Sequence, residues 1–133
     1  MIKMEKRAFS PWEWQNDRSY VQAVEVKNAQ STLYVSGQAA VHSDGKSSNA
    51  DMRKQLGLAI QNLEKVIDGA GYDPKNIVRL TVYTTSSEGF IKNCFDLYKD
   101  FVAKHGMKQT TTLLQVAALF ETLNVELEAT VVK

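Results

Sequence analysis

Two stretches of the chain place apolar residues at steps of three and four, the spacing typical of a helix with one buried face. The first stretch predicts a helix that begins near Met52, capped by Ser48 or Asn49, and ends at Gly69 or Gly71. Its apolar stripe comprises Leu56, Ala59, Ile60, Leu63, Val66, Ile67 and Ala70.

The second stretch predicts one continuous helix that ends at His105-Gly106. Thr85 and Glu88 have the spacing of a capping box at its start. Its apolar stripe comprises Phe90, Ile91, Cys94, Leu97, Tyr98, Phe101 and Val102. Cys94 lies within this stripe, so we interpret it as a core residue.

Period-two alternation and β-branched residues predict five strands around these helices. The strands are Tyr20–Lys27, Ser31–Ala39, Ile77–Thr84, Thr110–Leu119 and Asn124–Val132. The turn-forming residues 28–30 join the first two strands into a predicted hairpin. Right-handed crossovers then place both helices on one face of a mixed sheet. We predict an α+β fold with a single domain over residues 1–133.

The other face of the predicted sheet is not plainly polar. In these registers it shows Tyr34, Tyr83, Leu113 and Val132. An uncovered sheet face with large apolar side chains is typical of an association surface. The pattern therefore predicts an oligomer.

Composition and charge narrow the class of protein. The 133 residues are 44% hydrophobic with a formal net charge of +1, so they carry no broad cationic field for nucleic acid. The longest apolar run, Val116–Phe120, is far shorter than the roughly 20 residues that cross a bilayer. The first residues show no apolar signal segment, and Cys94 is the single cysteine. We expect a cytoplasmic protein with no nucleic-acid or membrane partner.

Three segments together carry a resemblance to a known family. They are Tyr20-Val21-Gln22 with Leu33-Tyr34-Val35-Ser36-Gly37-Gln38, then the first helix with Ile77-Val78-Arg79-Leu80-Thr81-Val82-Tyr83, and finally Val116-Ala117-Ala118-Leu119 with Val125-Glu126-Leu127-Glu128-Ala129. In this order they resemble the RidA/YjgF family of small trimeric proteins. The resemblance runs from about Tyr20 to the C-terminus, and residues 1–18 lie outside it.

The resemblance implies a chorismate-mutase-like fold and a homotrimer with small-molecule clefts between subunits. In active members these clefts hydrolyse reactive imines or enamines to 2-keto acids and ammonia. The resemblance implies neither a metal nor an organic cofactor, and the sequence shows no GxGxxG, Walker A, HExxH or CxxC pattern.

Carried over by position, the resemblance assigns Tyr20 and Ser36 to the cleft and Glu126 to the placing or activation of a water molecule. The family's carboxylate-binding arginine is absent, because Thr111 occupies its position. Leu113 stands where many members have a cysteine. A neutral hydroxyl does not replace a bidentate guanidinium–carboxylate pair, so we expect poor turnover of simple amino-acid imines.

Further candidates complete the predicted cleft. Gln115 lies on the same strand face as Thr111, and backbone groups near Ala117 are expected to bind the polar end of a substrate. Phe95 replaces a pocket asparagine of the family. Arg53 or Arg79 is a candidate for the missing cation. Two residues of the N-terminal segment, Trp12 and Trp14, pack on a sheet edge or wall the cleft.

Three functions follow from these residues. The first is hydrolytic deamination of a small, partly apolar imine, enamine or carbonyl compound, with Glu126 orienting water. The second is a non-catalytic ligand-binding or regulatory protein on the same scaffold. The third, ribonuclease activity, is disfavoured by the near-neutral charge and the lack of a basic and aromatic stripe.

Overall fold

Six strands form a large sheet and a small one within residues 2–133, the part of the chain that the computed structural model describes. They are β1 (Glu5–Phe9), β2 (Ala23–Lys27), β3 (Thr32–Ala39), β4 (Ile77–Thr84), β5 (Thr110–Gln115) and β6 (Val125–Val132). The large sheet has the order β3-β6-β4-β5, and β1 pairs with β2 in the small one. Only β4 and β5 are parallel, so the large sheet is mixed.

Three α-helices accompany the strands of residues 2–133 and build the core against the large sheet. They are α1 (Met52–Gly69), α2 (Ser87–Asn93) and α3 (Phe95–Lys104), and a short 3-10 helix, Trp14–Arg18, precedes β2. Much of the α1 stripe, including Leu63, is buried together with alternate residues of β4 and β6 such as Leu80 and Leu127. Val66 of the same stripe is 41% exposed. This arrangement confirms the predicted α+β fold with helices on one face of a mixed sheet.

The predicted hairpin between Tyr20–Lys27 and Ser31–Ala39, which correspond to β2 and β3, is wrong. β2 pairs antiparallel with β1, and β3 pairs with β6. β1 was not among the predicted strands because all five of its residues are exposed and no apolar alternation marks them. The predicted fourth strand also ends early, since β5 stops at Gln115 and the chain then turns away from the sheet.

The predicted second helix is divided at Cys94 into α2 and α3. The backbone of Cys94 leaves helical geometry, with φ −127° and ψ −11°, while its side chain is fully buried as predicted. The exposed guanidinium of Arg53 donates to the carbonyl of Asn93 at 3.0 Å and to both carboxylate oxygens of Asp96. Arg53 therefore links α1 to the junction between α2 and α3. The apolar stripe continues on both sides of the break, so the hydrophobic periodicity does not indicate that the helix is divided.

Both predicted helix starts are displaced by a few residues. Asp51 caps α1, in place of the predicted Ser48 or Asn49, and its carboxylate accepts from the backbone N–H of Lys54 at 2.9 Å. Ser86 caps α2 by accepting from the N–H of Gly89, so Thr85 is not the capping residue. At the end of α1, Gly71 takes the left-handed conformation with φ +83°.

The face of the sheet opposite the helices differs from the prediction at two positions. Leu113 pairs with the core residue Val82 and packs on the helix side. Val132 is only 4% exposed, so it does not contribute an exposed apolar side chain to that face. Tyr34 is 80% exposed, and Leu114, which pairs with Tyr83, supplies the open-face leucine of β5.

An ion-pair cluster joins α1 to the end of α3 and predicts a pH-dependent stability. Glu64 accepts from Lys104 at 3.0 Å and lies 2.6 Å from the imidazole Nε2 of His105. Partial burial alone raises the pKa of Glu64, but these hydrogen bonds outweigh it and lower the pKa below the ordinary 4.5. A lowered pKa means that the carboxylate stabilises the fold above that ordinary value and loses this contribution as the pH falls through the lowered pKa.

We therefore expect Glu64→Gln to lower the free energy of unfolding by about 1 kcal/mol at about pH 5.5, with the difference closing toward about pH 3. Urea denaturation across this range measures it. Glu5→Gln, at an exposed position of β1, is the matched control and should change little at either pH. A Glu64→Gln difference that stays constant down to the acid end would contradict the lowered pKa.

Candidate functional site

A pocket of about 450 Å³, which we call the Tyr20 pocket, opens beside the edge strand β5. Its apolar lining comes from β4, β5, α2 and α3, and consists of Val82, Phe90, Ile91, Phe95 and Leu113. Its polar lining consists of Arg18, Tyr20, Tyr98 and Thr111. The volume lies within the roughly 300–1,000 Å³ of small-molecule sites, so the pocket suits a small and partly apolar ligand.

Buried polar groups fix the floor of the Tyr20 pocket. The side-chain amide of Gln109, fully buried, lies 2.9 Å from Thr111 Oγ1, 3.0 Å from the Tyr98 hydroxyl and 2.8 Å from the carbonyl of Ser19. The Tyr98 hydroxyl also lies 3.1 Å from Thr111 Oγ1, and burial raises the pKa of Tyr98. Thr111 Oγ1 accepts from Gln109 in this network and lines the pocket, so its hydroxyl can contact a ligand there.

One cation lines the Tyr20 pocket. Arg18 ends the short 3-10 helix, and its guanidinium carbon lies 4.8 Å from the ring centre of Trp14. Trp14 in turn stacks on Trp12 at 5.7 Å. Both tryptophans are about half exposed. They support Arg18 at the rim and do not line the pocket.

Glu126 lies in a separate recess of about 610 Å³ beside the bulge of β3, which we call the Glu126 recess. A Cβ atom on Gly37 would stand 2.5 Å from the Glu126 carboxyl carbon, so only glycine permits this close approach. Partial burial, and then the charge of Glu128, raise the pKa of Glu126 above 4.5. A carboxylate with a raised pKa is suited to accepting a proton near neutral pH.

The Tyr20 pocket and Glu126 lie on opposite faces of the large sheet. Thr111 and Leu113 pair with the core residues Leu80 and Val82, on the face that the helices cover. Glu126 alternates with buried Val125 and Leu127 on β6 and therefore points to the other face. One chain thus does not bring all the predicted site residues into one cavity.

The remaining predicted residues are placed as follows. Ser36 is exposed and adjoins Gly37 in the bulge of β3, next to Glu126. Gln115 is exposed, and its Oε1 accepts from the backbone and hydroxyl of Ser87, which supports the start of α2. Ala117 is exposed in the loop after β5 and lines neither cavity.

The two cations suggested as replacements for the missing arginine are engaged elsewhere. Arg53 binds Asp96 across the α1–α3 contact, and Arg79 donates to Thr112 at 2.6 Å on the open face. Arg18 was not among the residues predicted from the sequence. The signals available were its spacing of four from Trp14 and its position two residues before Tyr20.

Within residues 2–133, no three His, Cys, Asp or Glu side chains are grouped closely enough to hold a metal ion. None of the helices described there is long and apolar enough to cross a membrane.

Comparison with known proteins identifies the family. Residues 13–133 match the family described as Endoribonuclease L-PSP. The chain is also 31% identical over 115 residues to the mouse 2-iminobutanoate/2-iminopropanoate deaminase, covering 86% of this chain and 81% of the relative. The protein belongs to the RidA/YjgF family. The resemblance drawn from its sequence motifs is thereby confirmed.

Solved structures of the family show the same fold. The Rid-family protein YyfB of Yersinia pestis, described as being of unknown function, superposes with a TM-score of 0.79 at 26% identity, covering 96% of this chain and 98% of YyfB. Escherichia coli TdcF with bound serine superposes with a TM-score of 0.70 at 29% identity, covering 86% and 87%. The YyfB match therefore includes most of the first 18 residues of this family member.

Proposed function

We propose that the protein is a homotrimer whose inter-subunit clefts hydrolyse small, partly apolar imines or enamines to carbonyl compounds and ammonia. The observation that carries the proposal is Glu126, a partly buried carboxylate with a raised pKa, held against Gly37 in a family whose mouse member is named an imino-acid deaminase. Glu126 is the proposed catalytic base, and the Tyr20 pocket of a neighbouring chain is the proposed substrate pocket.

The separation of the two cavities within one chain supports the oligomer. The open face of the sheet exposes Tyr34 and Leu114, and Phe120 is 71% exposed where it lines the Glu126 recess. Exposed apolar side chains of this kind favour association with another copy. A closed ring of three chains brings the Tyr20 pocket of each subunit to the Glu126 recess of the next and repeats one cleft three times.

The proposed reaction needs only water and a proton carrier. Glu126 accepts a proton from water as the water oxygen bonds to the imine carbon, and the electron pair of the C=N bond moves to nitrogen. Glu126 returns the proton to nitrogen, which gives a carbinolamine. Transfer of the hydroxyl proton to nitrogen through Glu126 then breaks the C–N bond and releases ammonia and a carbonyl compound.

The lining of the Tyr20 pocket supports the substrate class. Thr111 offers a neutral hydroxyl at the position of the family's arginine, while Phe95 and Leu113 make the interior apolar. A substrate with an apolar body gains from burial there. An imine of alanine or serine has neither this body nor a strand arginine to bind its carboxylate.

The experiment generates imines with an amino-acid oxidase and measures the release of ammonia and keto acid with and without the protein. We expect acceleration for the leucine and phenylalanine imines, little for the alanine imine, and a light-scattering mass three times the 14.9 kDa of one chain. A monomer, or an alanine-imine rate equal to that of the mouse relative, would contradict the proposal.

A second candidate is a non-catalytic ligand-binding protein, favoured by the loss of the arginine at Thr111. It predicts an increase in melting temperature with small apolar carbonyl compounds and no turnover of any imine or enamine tested. Turnover that depends on Glu126 excludes it.

A further inference from the structure

Arg18 brings a positive charge to the rim of the Tyr20 pocket. The other lining residues are aliphatic, aromatic or neutral hydroxyl side chains. Among the hydrogen bonds and ion pairs of residues 2–133, none involves the Arg18 guanidinium, although it carries five N–H donors. A guanidinium fork beside an apolar cavity is complementary to a carboxylate attached to an apolar body.

Two contacts hold Arg18 at this rim. Trp14 lies beneath the guanidinium at 4.8 Å, and cation–π contacts of this kind favour one orientation of the side chain. Ser19, the next residue, takes the left-handed conformation with φ 59°, and its carbonyl accepts from buried Gln109 at 2.8 Å and from Tyr98 at 3.2 Å. The segment that carries Arg18 is thus tied to the hydrogen-bond network that holds Thr111.

We propose that Arg18 binds the carboxylate of the substrate at the rim of the Tyr20 pocket, with the apolar body of the substrate inside. Arg18 thereby supplies the charge that Thr111 lacks, from a different segment of the chain. The identity of the ligand as a substrate rests on the proposed function, whereas the carboxylate site itself does not.

This orientation determines the substrate class. The carbon next to the carboxylate lies at the rim, open to a second subunit, while the side chain points toward Phe95 and Leu113. The substrates are 2-imino acids with large apolar side chains. Affinity should rise by about fourfold for each buried methylene, so leucine-type acids bind far better than alanine-type acids.

The test uses 4-methylpentanoate, a stable carboxylate, and the neutral 4-methylpentanamide as probes. Calorimetric titration of Arg18→Gln should show carboxylate affinity reduced roughly 10- to 100-fold and amide affinity unchanged. Arg7→Gln is the matched control, because Arg7 is an exposed arginine of β1 that pairs with Glu25 and does not line the Tyr20 pocket. It should bind both probes as the wild type does.

Three further measurements test whether the carboxylate binds at Arg18. The only two tryptophans, Trp12 and Trp14, adjoin Arg18, so the carboxylate should change the intrinsic fluorescence of the wild type. Higher salt should weaken carboxylate binding, because Arg18 is exposed and its charge is screened. Arg18→Lys should bind with intermediate affinity, since an ammonium keeps the charge and loses the fork.

The outcomes separate this inference from the proposed function. Equal carboxylate affinity in Arg18→Gln and Arg7→Gln, or no carboxylate binding by the wild type, overturns the inference. Arg18-dependent binding without ammonia release supports the inference and contradicts deamination. Ammonia release from leucine imine with an unchanged KM in Arg18→Gln overturns the inference alone, whereas a raised KM with a similar kcat supports both.

Discussion

A mixture of two inactive variants is expected to recover about one quarter of the wild-type deaminase rate. Leu113→Trp fills the Tyr20 pocket, and Glu126→Gln removes the proposed base from the opposite face of the sheet. Each variant alone lacks one half of every cleft, so its homotrimer is inactive. In mixed trimers, a cleft works when a chain with an intact pocket meets a neighbour with an intact Glu126.

The recovered fraction follows from random assembly. At equal concentrations each half of a cleft has a probability of about one half of being intact, so about a quarter of the clefts are complete. Unfolding the two variants together in urea and refolding them by dilution exchanges the chains. The ammonia-release assay then measures the rate, and light scattering confirms that trimers form.

The control for this experiment mixes two variants with defects in the same half. Leu113→Trp with Ile91→Glu, both on the Tyr20 pocket, should recover nothing, because no cleft has an intact pocket. Ile91 is 52% exposed, so its replacement should leave folding unaffected. Activity recovered by this control pair would show that the cleft is not shared between chains. The same conclusion would follow if Leu113→Trp mixed with Glu126→Gln recovered no activity although mixed trimers had formed.

The extent to which the fold could be predicted depends on how much of each element is buried on one face. The first helix and the strand Ile77–Thr84 were predicted closely, because alternating burial gives a long and regular pattern. Strand β1 has no buried residue, and its pairing with β2 depends on tertiary placement. The break at Cys94 involves a single residue whose side chain stays within the apolar stripe, so no period changes there.

The candidate site divides in the same way. Tyr20, Thr111 and Leu113 were predicted by resemblance, and the structure brings them to one pocket because β5 and the segment after the 3-10 helix are joined through Gln109. The raised pKa of Glu126 comes from its partial burial and from the charge of Glu128, and its carboxyl group packs closely on Gly37. The alternation of β6 indicates neither the burial nor this close approach.

The sequence marks Arg18 only by its spacing from Trp14 and Tyr20. Arg18 is exposed at the end of a short 3-10 helix with no apolar periodicity. Its position depends on the left-handed backbone of Ser19 and on the hydrogen bond from Gln109 to the Ser19 carbonyl, 90 residues apart in sequence. Arg53 and Arg79 were more visible candidates because they lie in regular elements. Their side chains instead donate hydrogen bonds, Arg53 to Asp96 and Arg79 to Thr112.

Loss of the Glu126 carboxylate should have the largest effect of any single substitution. We expect Glu126→Gln to lower kcat on apolar imines by roughly 10²- to 10⁴-fold with little change in KM, because the amide fills the same space and accepts no proton from water. Gly37→Ala should also lower kcat, since its Cβ displaces the Glu126 side chain. Circular dichroism and light scattering show whether each variant keeps its fold and assembly.

The pH profile distinguishes a base from a residue that only holds the structure. Burial, followed by the charge of Glu128, raises the pKa of Glu126, so activity should rise with pH through a value above 4.5. Glu128→Gln removes the neighbouring charge and should move this acid limb to lower pH while keeping turnover. The Tyr83 hydroxyl, which donates to Glu128 at 3.0 Å, can still donate to the amide oxygen of the glutamine. If the limb does not move in Glu128→Gln, or if Glu126→Gln keeps more than about a tenth of the rate, Glu126 is not the base, because a general base contributes at least about 100-fold.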